Sequence, residues 1–244
     1  MYFKKVVNMM TEATDNHQLQ KHLQHISESY KNIRASLMFA LAGTPKEYGK
    51  TIIFTSAEQG DGKTTTCLNL AAAFAEAGAK VLIVDADLRR PRMERYIYLE
   101  RERKGLSDVL GGFCDVSEVI IRPDGCNFDC LFSGSIPPNP SELLMMKAVG
   151  TLFETLSKEY DYIFIDTPPV GVVSETLCLT QFVSGVVLVA KKRKTHLRKL
   201  HDTISSLEFA NANILGVVMN GSLDAMSRSY YHYKDRYNNY YYYQ

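Results

Sequence analysis

A short glycine-containing loop separates two segments of different periodicity in the first third of the chain. Residues 50–56 form a largely apolar run, residues 63–77 have the composition of a helix that Gly78 would close, and residues 80–85 form a second apolar run. This order and these lengths are typical of a strand, a helix and a second strand. A helix connecting two strands of one sheet makes those strands parallel. The pattern therefore predicts a βαβ unit.

The same alternation continues through the rest of the chain. Three more apolar runs, at residues 162–166, 185–190 and 214–220, are separated by stretches of helical composition. Continuous apolar runs are expected of parallel strands that are buried on both faces. With 244 residues, 45% of them hydrophobic and 23% charged, the chain has the balance of one ordinary globular domain. We predict an α/β fold with a mostly parallel sheet and helices on both faces.

Two segments flank the predicted core domain of residues 46–225. Residues 1–45 contain an amphipathic helix from about residue 17 to residue 41, with apolar side chains three or four positions apart. Residues 226–244 are polar and follow no helical or strand period, which predicts a flexible tail.

The loop between the first predicted strand and its helix reads Ser56-Ala57-Glu58-Gln59-Gly60-Asp61-Gly62-Lys63-Thr64. Gly60 and Gly62 would let the backbone turn its N–H groups toward an anion at the positive end of the helix. Lys63 would reach the β and γ phosphates of a nucleotide, and Thr64 would offer a hydroxyl to Mg²⁺. Ala57 stands where such a P-loop usually begins with glycine. An ordinary turn is the alternative, but the position between a strand and a helix favours nucleotide binding.

Carboxylates follow two other predicted strands. Asp85 and Asp87 follow the second strand, and Asp166 ends the strand at residues 162–166. Ligands of parallel α/β sheets bind beyond the carboxyl ends of the strands, and Mg²⁺ prefers oxygen ligands. Asp166 is therefore predicted to act with Thr64 at the metal, while Asp85 or Asp87, with Asp85 favoured, takes the proton of an attacking hydroxyl. Each aspartate alone could be a helix cap, but three beside one P-loop favour the metal site.

The composition also limits the partners and the location. A formal net charge of +1 disfavours a general nucleic-acid binder. The apolar runs are shorter than the roughly 18 to 20 residues that cross a bilayer, and the N-terminus lacks a signal-peptide pattern. A cytoplasmic chain is therefore expected. The five cysteines show no paired spacing and are expected to be reduced and not to bind metal.

The C-terminal tail holds eight of the fifteen tyrosines of the chain. A solvated row of phenols either stacks on a neighbouring subunit or accepts phosphate, and the second use requires that the chain bind ATP. The eight are Tyr230, Tyr231, Tyr233, Tyr237, Tyr240, Tyr241, Tyr242 and Tyr243.

Five segments are informative together: the loop at residues 56–66, VLIVDADLRRP at 81–91, GSIPPNPSELL at 134–144, IFIDTPP at 163–169 and the tyrosine tail. With them the chain, over nearly its whole length, resembles the cytoplasmic domain of the bacterial tyrosine kinases of capsule and exopolysaccharide synthesis. The resemblance implies a P-loop fold of the MinD and ParA type. It also implies ATP- and Mg²⁺-dependent autophosphorylation of the tyrosine cluster in trans.

The resemblance assigns roles to individual residues. Its three phosphate-site segments, called Walker A, A′ and B, give Lys63 with Thr64, Asp85 with Asp87, and Asp166. Lys63, Asp85 and Asp87 would be catalytic, and Thr64, Asp85 and Asp166 would hold the metal. The implied ATP contacts are Gly60, Asp61, Gly62, Lys63, Thr64, Thr65 and, at the adenine, Asn220.

The resemblance also implies partners. In the family, the N-terminal helix carries an oligomerisation signature of Glu followed at the third and sixth positions by Arg; here it reads Glu28, Lys31 and Arg34. Lys31 keeps the charge but lacks the bidentate fork of arginine, and an ordinary solvated helix face is the alternative. The implied partners are copies of the chain in a ring, with an octamer as one candidate size, a transmembrane activator of the polysaccharide co-polymerase type, and a cognate phosphotyrosine phosphatase. The activator would hold the chain at the inner face of the membrane, with the kinase either a separate chain or the excised half of a fused one.

Two other functions share this fold: a MinD- or ParA-like ATPase switch, and a nucleotide-binding scaffold without kinase activity. Glu58 stands where the ATPase group carries its signature lysine, which disfavours the switch. Intact Lys63, Thr64 and strand-end aspartates disfavour the scaffold. The basic run at residues 191–199 is either a solvated surface or a patch attracted to anionic lipids.

Overall fold

The computed structural model describes residues 17–43, 48–97, 104–171 and 175–221. The strands are β1 (Lys50–Ser56), β2 (Val81–Asp85), β3 (Asp129–Leu131), β4 (Tyr162–Asp166), β5 (Gly185–Lys191) and β6 (Ile214–Asn220). The helices are α1 (His17–Ala40), α2 (Lys63–Glu76), α3 (Met93–Ile97), α4 (Leu106–Leu110), α5 (Val116–Val119), α6 (Pro140–Met145), α7 (Lys147–Ser157), α8 (Glu175–Leu179) and α9 (Leu197–Phe209). A short 3₁₀ helix, Thr180–Phe182, follows α8.

These strands form one sheet in the order β3-β2-β4-β1-β5-β6, and every neighbouring pair is parallel. All carboxyl ends therefore lie at the same edge. In the strand register Asp166 is the partner of both Asp85 on β2 and Phe54 on β1. The predicted fold class, a parallel α/β sheet with a P-loop, is confirmed.

Helices cover both faces of the sheet because successive strand side chains point to opposite sides. On β1, Ile53 packs in the cluster that includes Phe153 of α7 and Leu207 of α9. Its neighbours Ile52 and Phe54 pack in the other cluster, with Leu37 of α1 and Phe74 of α2. All of these side chains are buried. Burial on both faces explains the continuously apolar strand sequences.

Helix α1 packs against α2, and it ends one residue earlier than predicted. Leu37 and Leu41 bury their side chains there, and the Arg34 guanidinium donates a hydrogen bond to the Ala73 carbonyl of α2. None of the described helices is both long and apolar enough to cross a membrane.

Strand β3 was not predicted. It has only three residues and begins with an aspartate, so no period could be recognised in it. It pairs with β2 and, through an isolated bridge between Cys130 and Ile121, with the preceding loop. The division into three segments stays a prediction, since residues 1–16 and 222–244 lie outside the described part.

Candidate active site

The loop between β1 and α2 adopts a left-handed backbone conformation at two of its glycines. Gly60 and Gly62 have φ angles of 80° and 95°, a region that side chains with a Cβ rarely adopt. A Cβ on Gly62 would also lie 2.4 Å from Asn220 Nδ2. Since Gly62 immediately precedes α2, the loop delivers its backbone to the positive end of a fourteen-residue helix. This is the geometry that binds phosphate groups.

Asn220, at the end of β6, holds this loop from the other side. Its Nδ2 donates to the Asp61 carbonyl at 2.8 Å and to Thr66 Oγ1 at 3.2 Å. The amide nitrogen of Asn220 thus braces the P-loop, a contact that the sequence did not reveal. Its predicted role at the adenine stays a prediction, as do the ATP contacts of Thr65.

The predicted metal residues lie together at the carboxyl edge of the sheet. Thr64 Oγ1 donates to Asp166 Oδ2 at 2.5 Å, and the main chain of Ala86 donates to the Asp166 carbonyl at 2.8 Å. Asp85 is the lateral neighbour of Asp166, and its Oδ1 accepts from the Asp87 N–H at 3.1 Å. The end of β4 and the start of α2 thus bring together Thr64 and Asp166, which are 102 positions apart in the chain.

Burial perturbs the acids of this cluster. Asp85 and Asp166 are 1% and 4% exposed. Burial, followed by the nearby Asp166, raises the pKa of Asp85 well above its usual value. Burial also raises the pKa of Asp166 to about 6, although Lys63 and the Thr64 hydroxyl oppose this shift. The pKa of Asp87 is raised by burial too. Perturbed acids of this kind, grouped at one edge of a sheet, are typical of functional sites.

The donor set fits a magnesium nucleotide. Asp85 Oδ2 and Asp166 Oδ1 are buried without a hydrogen-bond partner, which makes them oxygen atoms available to a cation. In the part of the chain that the structure describes, there is no cluster of three or more His, Cys, Asp or Glu side chains suited to enclose a metal. Mg²⁺ usually binds through one or two carboxylates, with waters and substrate phosphates completing its shell. Thr64, Asp166 and Asp85 provide oxygen ligands of the kind and number that Mg²⁺ usually takes from a protein.

Glu175 forms a second acidic site that the sequence left without a role. It is 2% exposed, and its Oε1 accepts from Arg89 Nε at 2.6 Å and from Ser141 Oγ at 3.0 Å. Burial raises the pKa of Glu175, but these hydrogen bonds outweigh burial and leave the pKa below its usual value. Glu175 thereby ties together α8, α6 and the loop after β2 that carries Asp87.

The basic run contacts the P-loop. Lys194 Nζ lies 3.4 Å from Asp61 Oδ1 and donates to the Gln59 carbonyl, and Lys199 pairs with Glu58. These contacts join residues more than 130 positions apart, so no local pattern could have indicated them.

The three predicted oligomerisation residues make different contacts within the single chain. Lys31 and Glu28 pair with each other at 2.6 Å on an exposed face of α1, whereas Arg34 turns to α2. Their role between chains stays a prediction. The predicted phosphate acceptors, Tyr230 to Tyr243, lie outside the described residues.

The parallel sheet, and the glycine-containing loop before α2, are those of a P-loop protein. Proteins of this class bind phosphate groups at the start of the helix that follows the loop. A family model described as an AAA domain matches residues 49–214. The structure of MinD from Pyrococcus horikoshii OT3, complexed with Mg-ADP, is 25% identical with a TM-score of 0.62, over 73% of this chain and 72% of that one.

Closer similarity narrows the class. The tyrosine-protein kinase YwqD of Bacillus subtilis (strain 168) is 35% identical over 207 residues, covering 85% of this chain and 86% of YwqD. The kinase domain of the Escherichia coli tyrosine kinase ETK is 34% identical with a TM-score of 0.77, over 82% of this chain and 76% of that one. The chain belongs to the bacterial tyrosine-protein kinases. The resemblance and the enzyme class predicted from the sequence are confirmed.

Proposed function

We propose that the chain binds ATP with Mg²⁺ and phosphorylates the tyrosines at 230–243 of a second copy. The observation that carries this proposal is the cluster at the carboxyl edge, where Thr64 contacts Asp166 beside two buried carboxylate oxygens without partners. The cluster adjoins a loop with two left-handed glycines at the start of α2. Such an arrangement positions phosphate and cation together.

Each residue of the site has a task in the transfer. ATP with Mg²⁺ would supply the phosphoryl group and neutralise the charge that develops on it. Lys63 would reach the terminal phosphates, while Thr64 and Asp166 would hold the cation. The phenol oxygen forms its bond to the γ phosphorus as the bond to the departing ADP oxygen breaks, and the phenolic proton passes to a carboxylate. Asp85 is the favoured acceptor because burial raises its pKa, and Asp87 is the alternative.

The setting of this reaction follows from the resemblance to the capsule and exopolysaccharide kinases. The kinase would regulate polymer synthesis and export from the inner face of the membrane, in contact with a transmembrane activator and opposed by a phosphotyrosine phosphatase. Transfer between chains requires that two copies meet, and a homo-oligomer would hold them together. Residues Glu28, Lys31 and Arg34 on α1 are the proposed contact between copies, since Glu28 and Lys31 lie on an exposed face.

The test separates the catalyst from the acceptor. A Lys63→Met chain with an intact tail is mixed with an active chain that lacks residues 230–244, in the presence of labelled ATP, Mg²⁺ and the cytoplasmic segment of the activator. Label is expected on the Lys63→Met chain, because the catalytic site of one copy would serve the tail of the other. Each chain alone is the matched control. An unlabelled Lys63→Met chain in the mixture, under conditions in which the wild type is labelled, would contradict transfer in trans.

An ATPase switch is the second candidate, favoured by the similarity to MinD. Its expected product is inorganic phosphate without phosphotyrosine. Glu58 disfavours it, since this acid occupies the position of the signature lysine of that group. Measuring both products in one reaction distinguishes the two functions.

A further inference from the structure

The phosphate loop of this chain carries two acidic side chains, Glu58 and Asp61. Asp61 is the more surprising of the two because its side chain is fully buried, at 0% exposed. Its Oδ2 accepts the Glu58 N–H at 3.2 Å, so the carboxylate helps to shape the loop. A buried negative charge in a loop that must bind phosphates opposes that binding unless a cation compensates it.

Lys194 supplies such a cation. Its Nζ lies 3.4 Å from Asp61 Oδ1 and donates to the Gln59 carbonyl. The lysine lies across the loop at Gly60, where a Cβ would be only 2.9 Å from Nζ. Gly60 therefore serves both the left-handed backbone and the close approach of this side chain.

A built turn presents Lys194 to the loop. After β5, Thr195 Oγ1 accepts from the Lys191 N–H at 2.7 Å, and Arg193 has a φ of 62°, in the left-handed region. The Lys192 N–H donates to the Asn220 carbonyl at 2.9 Å. Asn220 in turn holds the Asp61 carbonyl. The ends of β5 and β6 thus contact both the main chain and the side chain of Asp61.

A second lysine of the same run forms an ion pair with the other acid of the loop. Lys199, at the start of α9, pairs with Glu58, and its hydrogen bond lowers the pKa of that carboxyl. Both acids of the loop are therefore matched by lysines of one basic run, residues 191–199. The run is largely exposed, and two of its lysines contact the phosphate loop.

We propose that Lys194 is a positioning residue for the nucleotide. It neutralises the negative charge of Asp61 and fixes the loop at Gln59. The loop then does not repel the negatively charged phosphates. This inference rests on the proposed binding of nucleotide. It assigns a role to the basic run that is independent of membranes, of partners and of the tyrosine tail.

The test uses opposite charge changes in the full chain, with the dissociation constant for Mg²⁺ and ADP as the readout. Lys194→Ala should weaken binding by about tenfold, because it leaves a buried carboxylate uncompensated beside the phosphates. Asp61→Asn should strengthen binding, because it removes that charge and keeps an acceptor for the Glu58 N–H. The double variant should return to within about threefold of the wild type. Arg198→Ala removes one positive charge from the same run and is the matched control, expected to change binding little.

Three outcomes would overturn the inference. A double variant as weak as Lys194→Ala would mean that the lysine acts through something other than Asp61. An Arg198→Ala effect as large as that of Lys194→Ala would mean that only the overall field of the basic run matters. If Lys194→Ala does not fold, as judged by its circular dichroism, Asp61→Asn alone decides, since weaker binding by this variant contradicts the inference. A chain that binds ADP with the expected pattern but makes no phosphotyrosine would refute the proposed function and leave this inference standing.

Discussion

Asp166 shows how one buried side chain couples metal binding to pH. Burial raises its pKa to about 6, so the folded, metal-free chain holds a proton there more tightly than the unfolded chain does. The stability of the metal-free protein should therefore fall as the pH rises from about 4 to 6. A cation needs the ionised carboxylate, so its binding has the opposite dependence.

We expect the affinity for Mg²⁺ in the presence of ADP to fall by about tenfold between pH 7 and pH 5, because roughly one carboxylate in ten stays ionised one unit below the pKa. Calorimetric titration at several pH values measures this, and titrations of ADP without Mg²⁺ correct for protonation of the nucleotide. Asp166→Asn should bind Mg²⁺ weakly at every pH. It should also reduce the fall in metal-free melting temperature from pH 4 to 6, and the part that remains is expected from Asp85 and Asp87, whose pKa values burial also raises. A wild-type affinity that is flat over this range would contradict the assignment of Asp166 to the metal.

Among the structural elements, the junction of α8, α6 and the loop after β2 gives a testable prediction about stability. Glu175→Ala leaves the Arg89 guanidinium and the Ser141 hydroxyl without their acceptor. The expected loss is about 1–3 kcal/mol in the free energy of unfolding, limited by the half-exposed position of Arg89. Urea unfolding measures it.

The same change should lower the rate of phosphorylation, because Arg89 lies two residues from Asp87. Glu175→Gln keeps an oxygen acceptor without the charge and should lie between the wild type and Glu175→Ala in both measurements. Equal stabilities for the three proteins would show that the contact of Arg89 with Glu175 contributes nothing to the junction.

Elements built from neighbouring residues could be predicted from the sequence. The strand, loop and helix at residues 50–77 follow from apolar periodicity and from glycines needed at fixed places, and the three aspartates follow from the rule that parallel strands share one carboxyl edge. β3 could not be predicted, since three residues carry no period. Asn220 and Lys194 lie 159 and 133 residues from Asp61, and only the order of β5 and β6 in the sheet brings them to the loop.

For the whole molecule, charge connects the tail to assembly. The chain has a formal charge of +1, and each phosphotyrosine adds about −1.5 to −2 at neutral pH. Full modification of the eight tail tyrosines would therefore add roughly −12 to −16. The site that the tail of another copy would enter contains Asp85, Asp87 and Asp166, so phosphorylated tails and this acidic cluster repel each other.

We expect heavy phosphorylation to dissociate the proposed homo-oligomer, because transfer between chains needs the tail of one copy to lie in the site of the next. Sedimentation velocity before and after incubation with ATP, Mg²⁺ and the activator segment measures the change, and intact mass gives the number of phosphates. A chain without residues 230–244 is the matched control and should keep its sedimentation coefficient. Raising the ionic strength should weaken the effect only in part, since salt screens the exposed phosphates of the tail but screens buried carboxylates much less. Unchanged sedimentation of the phosphorylated wild type would contradict this coupling, whereas dissociation that also occurs in the tail-deleted chain would place its cause in the nucleotide site.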